Sequence, residues 1–170
     1  AGASTPRRVA GGLAAGVASE WGHDELVQRF KRCFVDTNPP SDYTLPIVSL
    51  VSGRKVSMLL RRELGDIDIE DLPLSFFCVS SNLTTGRIAV HQQGRLWRWL
   101  RASVAIPGVL PPVFQGGEVF VDGGAMNILP VDVMRAKGRG LVIGVDVSND
   151  RAFTTDVEAT EMPSIWSLLR

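Results

Sequence analysis

A chain of 170 residues, 45% hydrophobic and 21% charged, is long enough for one folded domain and too apolar for a disordered tail. Its 18 basic residues balance 18 acidic ones, and no basic run exceeds two, so the electrostatic footprint of a nucleic-acid binder is missing. Cys33 and Cys78 stand far apart with no CxxC pairing, which announces neither a disulfide framework nor a zinc site and points to a reducing, cytoplasmic setting. No apolar run approaches the ~20 residues that cross a bilayer. Any membrane contact is therefore expected to be peripheral.

The first stretch, AGASTPRRVAGGLAAGVASE, holds four Gly and six Ala and suits a helix packed closely against another backbone. With no strand pattern and no Met before it, it reads as a fragment opened inside something longer. Leu26, Val27, Phe30 and Phe34 share one face of an amphipathic helix predicted over 24–34, with acids at its start and Lys31 and Arg32 near its end. Three prolines make 38–46 a loop, and a second helix is expected over 54–64. Asp66, Asp68, Glu70 and Asp71 interleave with aliphatic residues in a solvated connector, since they lack the glycine and closing glutamate of a calcium loop.

Two paired strands are expected over 74–82 and 87–91, then a helix over 95–103. Prolines bar 110–114 from a central strand. A short strand at 118–121, a helix opening with Pro130 and a near-continuous apolar run over 141–147 complete the order. That last run has the pattern of a buried parallel strand, and the alternation of strands and helices makes the class α/β.

The most informative turn is Val121-Asp122-Gly123-Gly124, where an acid leaves a strand into paired glycines. Functional groups of open α/β sheets collect at such strand ends, and glycines let a ligand or a backbone come close. Asp-Gly is also an ordinary turn dipeptide. His23 reads as a surface residue, and His91, beside Gln92 and Gln93, as an exposed hairpin residue that a Ser-His-Asp triad would have to recruit. Asp146 stands within its apolar run as a lesser ligand candidate, while Trp97 and Trp99 suit either an interfacial anchor or packing on the sheet.

The surrounding string settles more. WRWLRASVAIPGVLPP is followed by VFVDGG, then Asn127 and Leu129-Pro130. In that order these elements resemble the patatin-like phospholipase family, nearest its bacterial and neuropathy-target-esterase-like branch. The resemblance implies a three-layer α/β sandwich with a mostly parallel central sheet, here one partial domain over 1–170 missing its N-terminal strand. It implies a lipid acyl hydrolase working through a Ser-Asp dyad, without a catalytic histidine, metal or organic cofactor. Asp122 matches the dyad aspartate. Ser4, in Gly2-Ala3-Ser4-Thr5-Pro6, occupies the position of the nucleophile, and Gly123, Gly124 and Ser103 would shape the substrate site.

Two departures stand beside that match. Pro6 replaces the second glycine of the family's G-x-S-x-G elbow, and the glycine-rich oxyanion loop that precedes the elbow has no counterpart before Ser4. The alternative is thus an inactive patatin-like module that binds lipid or a partner protein. The implied partners are a phospholipid or lysophospholipid, a membrane surface, and a second copy pairing at an open sheet edge.

Overall fold

The computed structural model describes residues 16–17, 19–32, 49–138 and 140–146. Ser4, Pro6, Cys33 and Phe34 lie outside them. The described residues form a mixed helix–strand fold around one sheet: α1 (His23–Lys31), α2 (Arg54–Leu64), β1 (Cys78–Asn82), β2 (Arg87–His91), α3 (Leu96–Ser103), β3 (Val113–Gln115), β4 (Glu118–Asp122) and α4 (Val131–Ala136). Single 3-10 turns precede β1, at Ile69–Asp71, and follow β4, at Gly123–Ala125.

The helices follow local chemistry. Asp24 and Glu25 open α1, Arg29 and Lys31 close it, and Glu25 pairs with Arg29 one turn on at 2.8 Å. Arg29 also donates to the Glu63 carbonyl at 2.8 Å and lies over the Trp21 ring, tying α1 to the end of α2. Gly53 and Gly65, at φ 73° and 65°, bracket α2 with conformations that a side chain resists. Leu59 and Leu64 on α2 are buried, and α2 packs along α3.

The sheet has the order β2-β1-β4-β3, and every strand pair in it is antiparallel. Asn82 caps the β1–β2 turn by accepting from the Thr84 and Thr85 amides at 3.0 and 3.2 Å. Gly116 and Gly117 are both at positive φ, as a two-residue hairpin turn between β3 and β4 requires. β3 is the edge strand the prolines before it allow. β1, at the centre, is buried throughout its length.

The expectation of a mostly parallel sheet is not met in these residues. Parallel pairing appears there only as the isolated bridge of Ser49 with Gly108. The apolar run at 141–147 is likewise corrected: residues 141–146 form no strand, and Leu141 and Ile143 are 90% and 80% exposed. An apolar run becomes a buried parallel strand only when neighbouring strands accept its backbone, and none among the described residues does so. The core gathers instead between sheet and helices, where Leu64, Ile69, Leu72, Cys78, Leu96 and Leu100 are buried together with Trp97 and Trp99 packed against them.

Candidate active site

Asp122 is the last residue of β4, and three bonds fix its backbone and carboxylate. Its amide donates to the Ala105 carbonyl at 2.9 Å, just beyond the end of α3. Its own carbonyl accepts from the Ser81 hydroxyl at 2.9 Å. Its carboxylate oxygen Oδ1 accepts from the Gly124 amide at 2.7 Å, closing the turn that starts the following 3-10 segment.

The two glycines differ in what they provide. Gly123 is buried, and a Cβ there would stand 2.6 Å from the Val79 carbonyl oxygen, so only glycine lets the turn lie against β1. Gly124 is exposed; a Cβ there would meet only the Asp122 carboxylate, with Oδ1 at 3.1 Å. Gly123 is thus the packing glycine, and Gly124 supplies the amide that orients the carboxylate.

Ser80 and Ser81 are both fully buried on β1, and strand alternation sends their hydroxyls to opposite faces. Ser80 pairs in register with Asp122, so these two share a face. On that face the Ser80 hydroxyl lies 2.6 Å from His91 Nε2, and the imidazole stacks on Trp99 at 3.7 Å with Phe120 edge-on. Burial pushes His91 down to about 4 from its ordinary 6.5, so the ring is neutral at physiological pH. The exposed hairpin histidine of the sequence reading is therefore a buried one: His91 ends β2 on the face that α3 covers. Its Nε2 is taken by the Ser80 hydroxyl. Burial also pushes the Cys78 thiol up to about 12, which leaves it unreactive.

Ser103, the last residue of α3, lies two positions before Ala105, whose carbonyl holds the Asp122 amide. The structure so brings Ser103, Gly123, Gly124 and Asp122 to one end of the sheet by backbone connection, while Ser4 lies outside the described residues. Arg101 of the R-A-S string is 4% exposed and donates to the Pro111 carbonyl at 3.0 Å; Gly53 gives its guanidinium room. A groove of about 600 Å³ between α2, α3 and β3 is lined by Arg54, Met58, Trp97, Arg98, Pro111 and Phe114 among others, and Asp122 is not part of it.

The acids of the connector are engaged by protein groups. Asp66 accepts from Arg61, Asp68 pairs with Arg95 at 3.4 Å, and Glu70 accepts the Gly94 amide at 2.7 Å. No group of three His, Cys, Asp or Glu among the described residues is arranged to hold a metal ion. No helix among them is long and apolar enough to cross a membrane.

The family model for patatin-like phospholipase matches residues 9–135, a span that includes the Asp122 turn, β1, β2 and α3. The chain belongs to the patatin-like phospholipase family. Among its relatives are an uncharacterized NTE family protein of Mycobacterium bovis, 43% identical over 111 residues that make up 65% of this chain and 19% of that protein. A putative patatin-like phospholipase domain-containing protein of Caenorhabditis elegans is 37% identical over 108 residues, 62% of this chain and 10% of its own length. Lysophospholipase NTE1 of Debaryomyces hansenii is 37% identical over 108 residues, 64% of this chain and 7% of its own. The chain spans about a fifth or less of the length of these relatives.

Residue-level reading missed Ser80 and Ser81. The signal was a pair of small hydroxyl residues in the strand CVSSN, where each buried hydroxyl must find a partner.

Proposed function

We propose that this chain is the patatin-like unit, over 1–170, of a lipid acyl hydrolase that cleaves fatty acyl esters of phospholipids or lysophospholipids through a Ser4-Asp122 dyad. The observation that carries it is the carboxylate of Asp122, held by the Gly124 amide at the end of β4 within the family match. The name of the Debaryomyces relative, a lysophospholipase, supports the substrate class.

In this reading Asp122 takes the proton of the Ser4 hydroxyl as its oxygen attacks the ester carbonyl. The alcohol leaves with that proton, and water then releases the fatty acid from the acyl-serine by the same proton path. A carboxylate of ordinary pKa about 4 is a weak base at neutral pH, so the dyad depends on a dry site and strong oxyanion stabilisation. Ser103 and the two glycines shape the substrate side. No metal or organic cofactor takes part. The described antiparallel sheet is read as one part of an α/β sandwich with a mostly parallel central sheet. Access to substrate is from a membrane surface, peripherally and on the cytoplasmic side, and self-association through an open sheet edge accompanies it.

Labelling with a fluorescent fluorophosphonate tests the dyad without knowledge of the true substrate. Wild type is expected to label, and Ser4→Ala to abolish labelling. Asp122→Asn should slow it by about 100-fold or more, the contribution of a positioned base. Labelling of Asp122→Asn at the wild-type rate would overturn the assignment. A folded wild type that does not label would favour the inactive, lipid-binding module.

A further inference from the structure

We infer that Ser81 is the positioning residue for the Asp122 carboxylate, an inference that deepens the dyad reading above and rests on it. The Ser81 side chain is fully buried and its hydroxyl donates into the turn itself, to the Asp122 carbonyl at 2.9 Å, with the Gly123 carbonyl also within reach at 3.4 Å. Those two carbonyls belong to the peptide units on either side of Gly123. Fixing them fixes the direction of the next amide, that of Gly124, which donates to Asp122 Oδ1 at 2.7 Å. The Gly123 carbonyl is also held by the Asn127 amide at 2.9 Å, so the Ser81 hydroxyl acts chiefly on the Asp122 carbonyl, the peptide unit that leads into Gly123.

Sterics and topology reinforce this path. The turn cannot lift from β1 without opening the close approach of Gly123 to Val79, nor swing sideways without breaking the Asp122 amide bond to Ala105. These contacts set where the turn lies; the Ser81 hydroxyl sets the rotation of the Asp122–Gly123 peptide plane, because it acts on the Asp122 carbonyl, while the Asn127 amide holds the plane after it. Ser80, one residue earlier and equally buried, faces the other way and bonds His91. Its hydroxyl is engaged by His91 of β2 and not by the carbonyls of the turn, although its backbone pairs with Asp122. The two neighbouring serines therefore divide the work, one in packing the β1–β2 hairpin under α3 and one in aiming the acid.

Amide hydrogen exchange in the full chain tests this directly, with Gly86 as an internal reference. The Gly86 amide bonds the carbonyl of Asn82, the residue after Ser81 on β1, and reports the integrity of the strand beside the substitution. Ser81→Ala is expected to speed exchange of the Gly124 amide about fivefold, the effect of losing one net hydrogen bond, with Gly86 unchanged. Ser81→Cys, close in shape with a weak donor, reads the same ratio if the alanine variant does not fold. Equal acceleration at both glycines, or none at Gly124, overturns the inference.

Fluorophosphonate kinetics supply the second readout. Ser81→Ala should lower the maximal inactivation rate about tenfold with the half-saturating probe concentration unchanged, the signature of a misaimed base, whereas Ser80→Ala leaves both unchanged. A fall in Ser80→Ala equal to that in Ser81→Ala refutes positioning. If wild type does not label, the dyad reading fails, and the exchange ratio alone decides whether Ser81 aims the carboxylate.

Discussion

Replacing Gly123 by alanine separates the packing of the Asp122 turn from its chemistry. An added Cβ would stand 2.6 Å from the Val79 carbonyl oxygen, 2.8 Å from Val79 Cγ2 and 3.0 Å from the Val79 carbonyl carbon. Comfortable carbon contacts begin at about 3.5 Å, so β1 and the turn must part by most of an ångström. Neither side yields easily: β1 is the buried centre of the sheet, paired with β2 on one side and β4 on the other, and the obstacle is backbone. Overpacking typically costs about 1–3 kcal/mol, and a clash with backbone belongs at the upper end. Parting the strands also lengthens the Ser81 bond to Asp122, worth about 1 kcal/mol. A total near 4 kcal/mol corresponds to a fall in Tm of about 8–16 °C for a chain of this size. Thermal unfolding followed by circular dichroism, beside a urea titration, measures it. Gly124→Ala is the control, since its Cβ meets only the Asp122 carboxylate at 3.1 Å. It should cost under about 1 kcal/mol while disturbing labelling. A Gly123→Ala chain that melts within about 1 °C of wild type, or a Gly124→Ala chain as damaged, would show that the close approach to Val79 does not determine the turn.

Other consequences are smaller or more general. Because His91 is held at about 4 in the folded chain against 6.5 unperturbed, the unfolded chain binds the extra proton first as pH falls. Its contribution is complete above about pH 6.5 and is lost as pH drops toward 4, up to about 3 kcal/mol; urea midpoints for wild type and His91→Gln should converge across that window. Leu100→Ala, at a 2% exposed core position, should cost about 2–5 kcal/mol by denaturant unfolding. Glu25→Gln breaks the exposed pair with Arg29 and should change stability by less than about 0.5 kcal/mol, so a larger loss would show that α1 leans on that pair.

Much of the local structure was legible in the sequence because it depends on near neighbours. The helix over 54–64, the strand over 87–91 and the helix over 95–103 each follow from the spacing of apolar and β-favouring residues along the chain. Asp122 was legible for the same reason, at the end of a short strand before two glycines. The reading of 141–147 failed where local pattern stops being sufficient, because apolarity says that a segment wants partners and not whether a strand lies beside it. His91 failed similarly, since two glutamines after it suggest solvent while α3 folds back over its face.

By itself, then, the sequence determined the order of elements, the turn chemistry and the acid that ends β4, all set within a few residues of chain. The tertiary structure decided the rest: that Gly123 must be glycine because Val79 lies behind it, that Ser80 and Ser81 turn to opposite tasks, and that His91 is neutral and buried. These depend on residues tens of positions apart being brought into register, and no local pattern encodes which backbone will arrive opposite another.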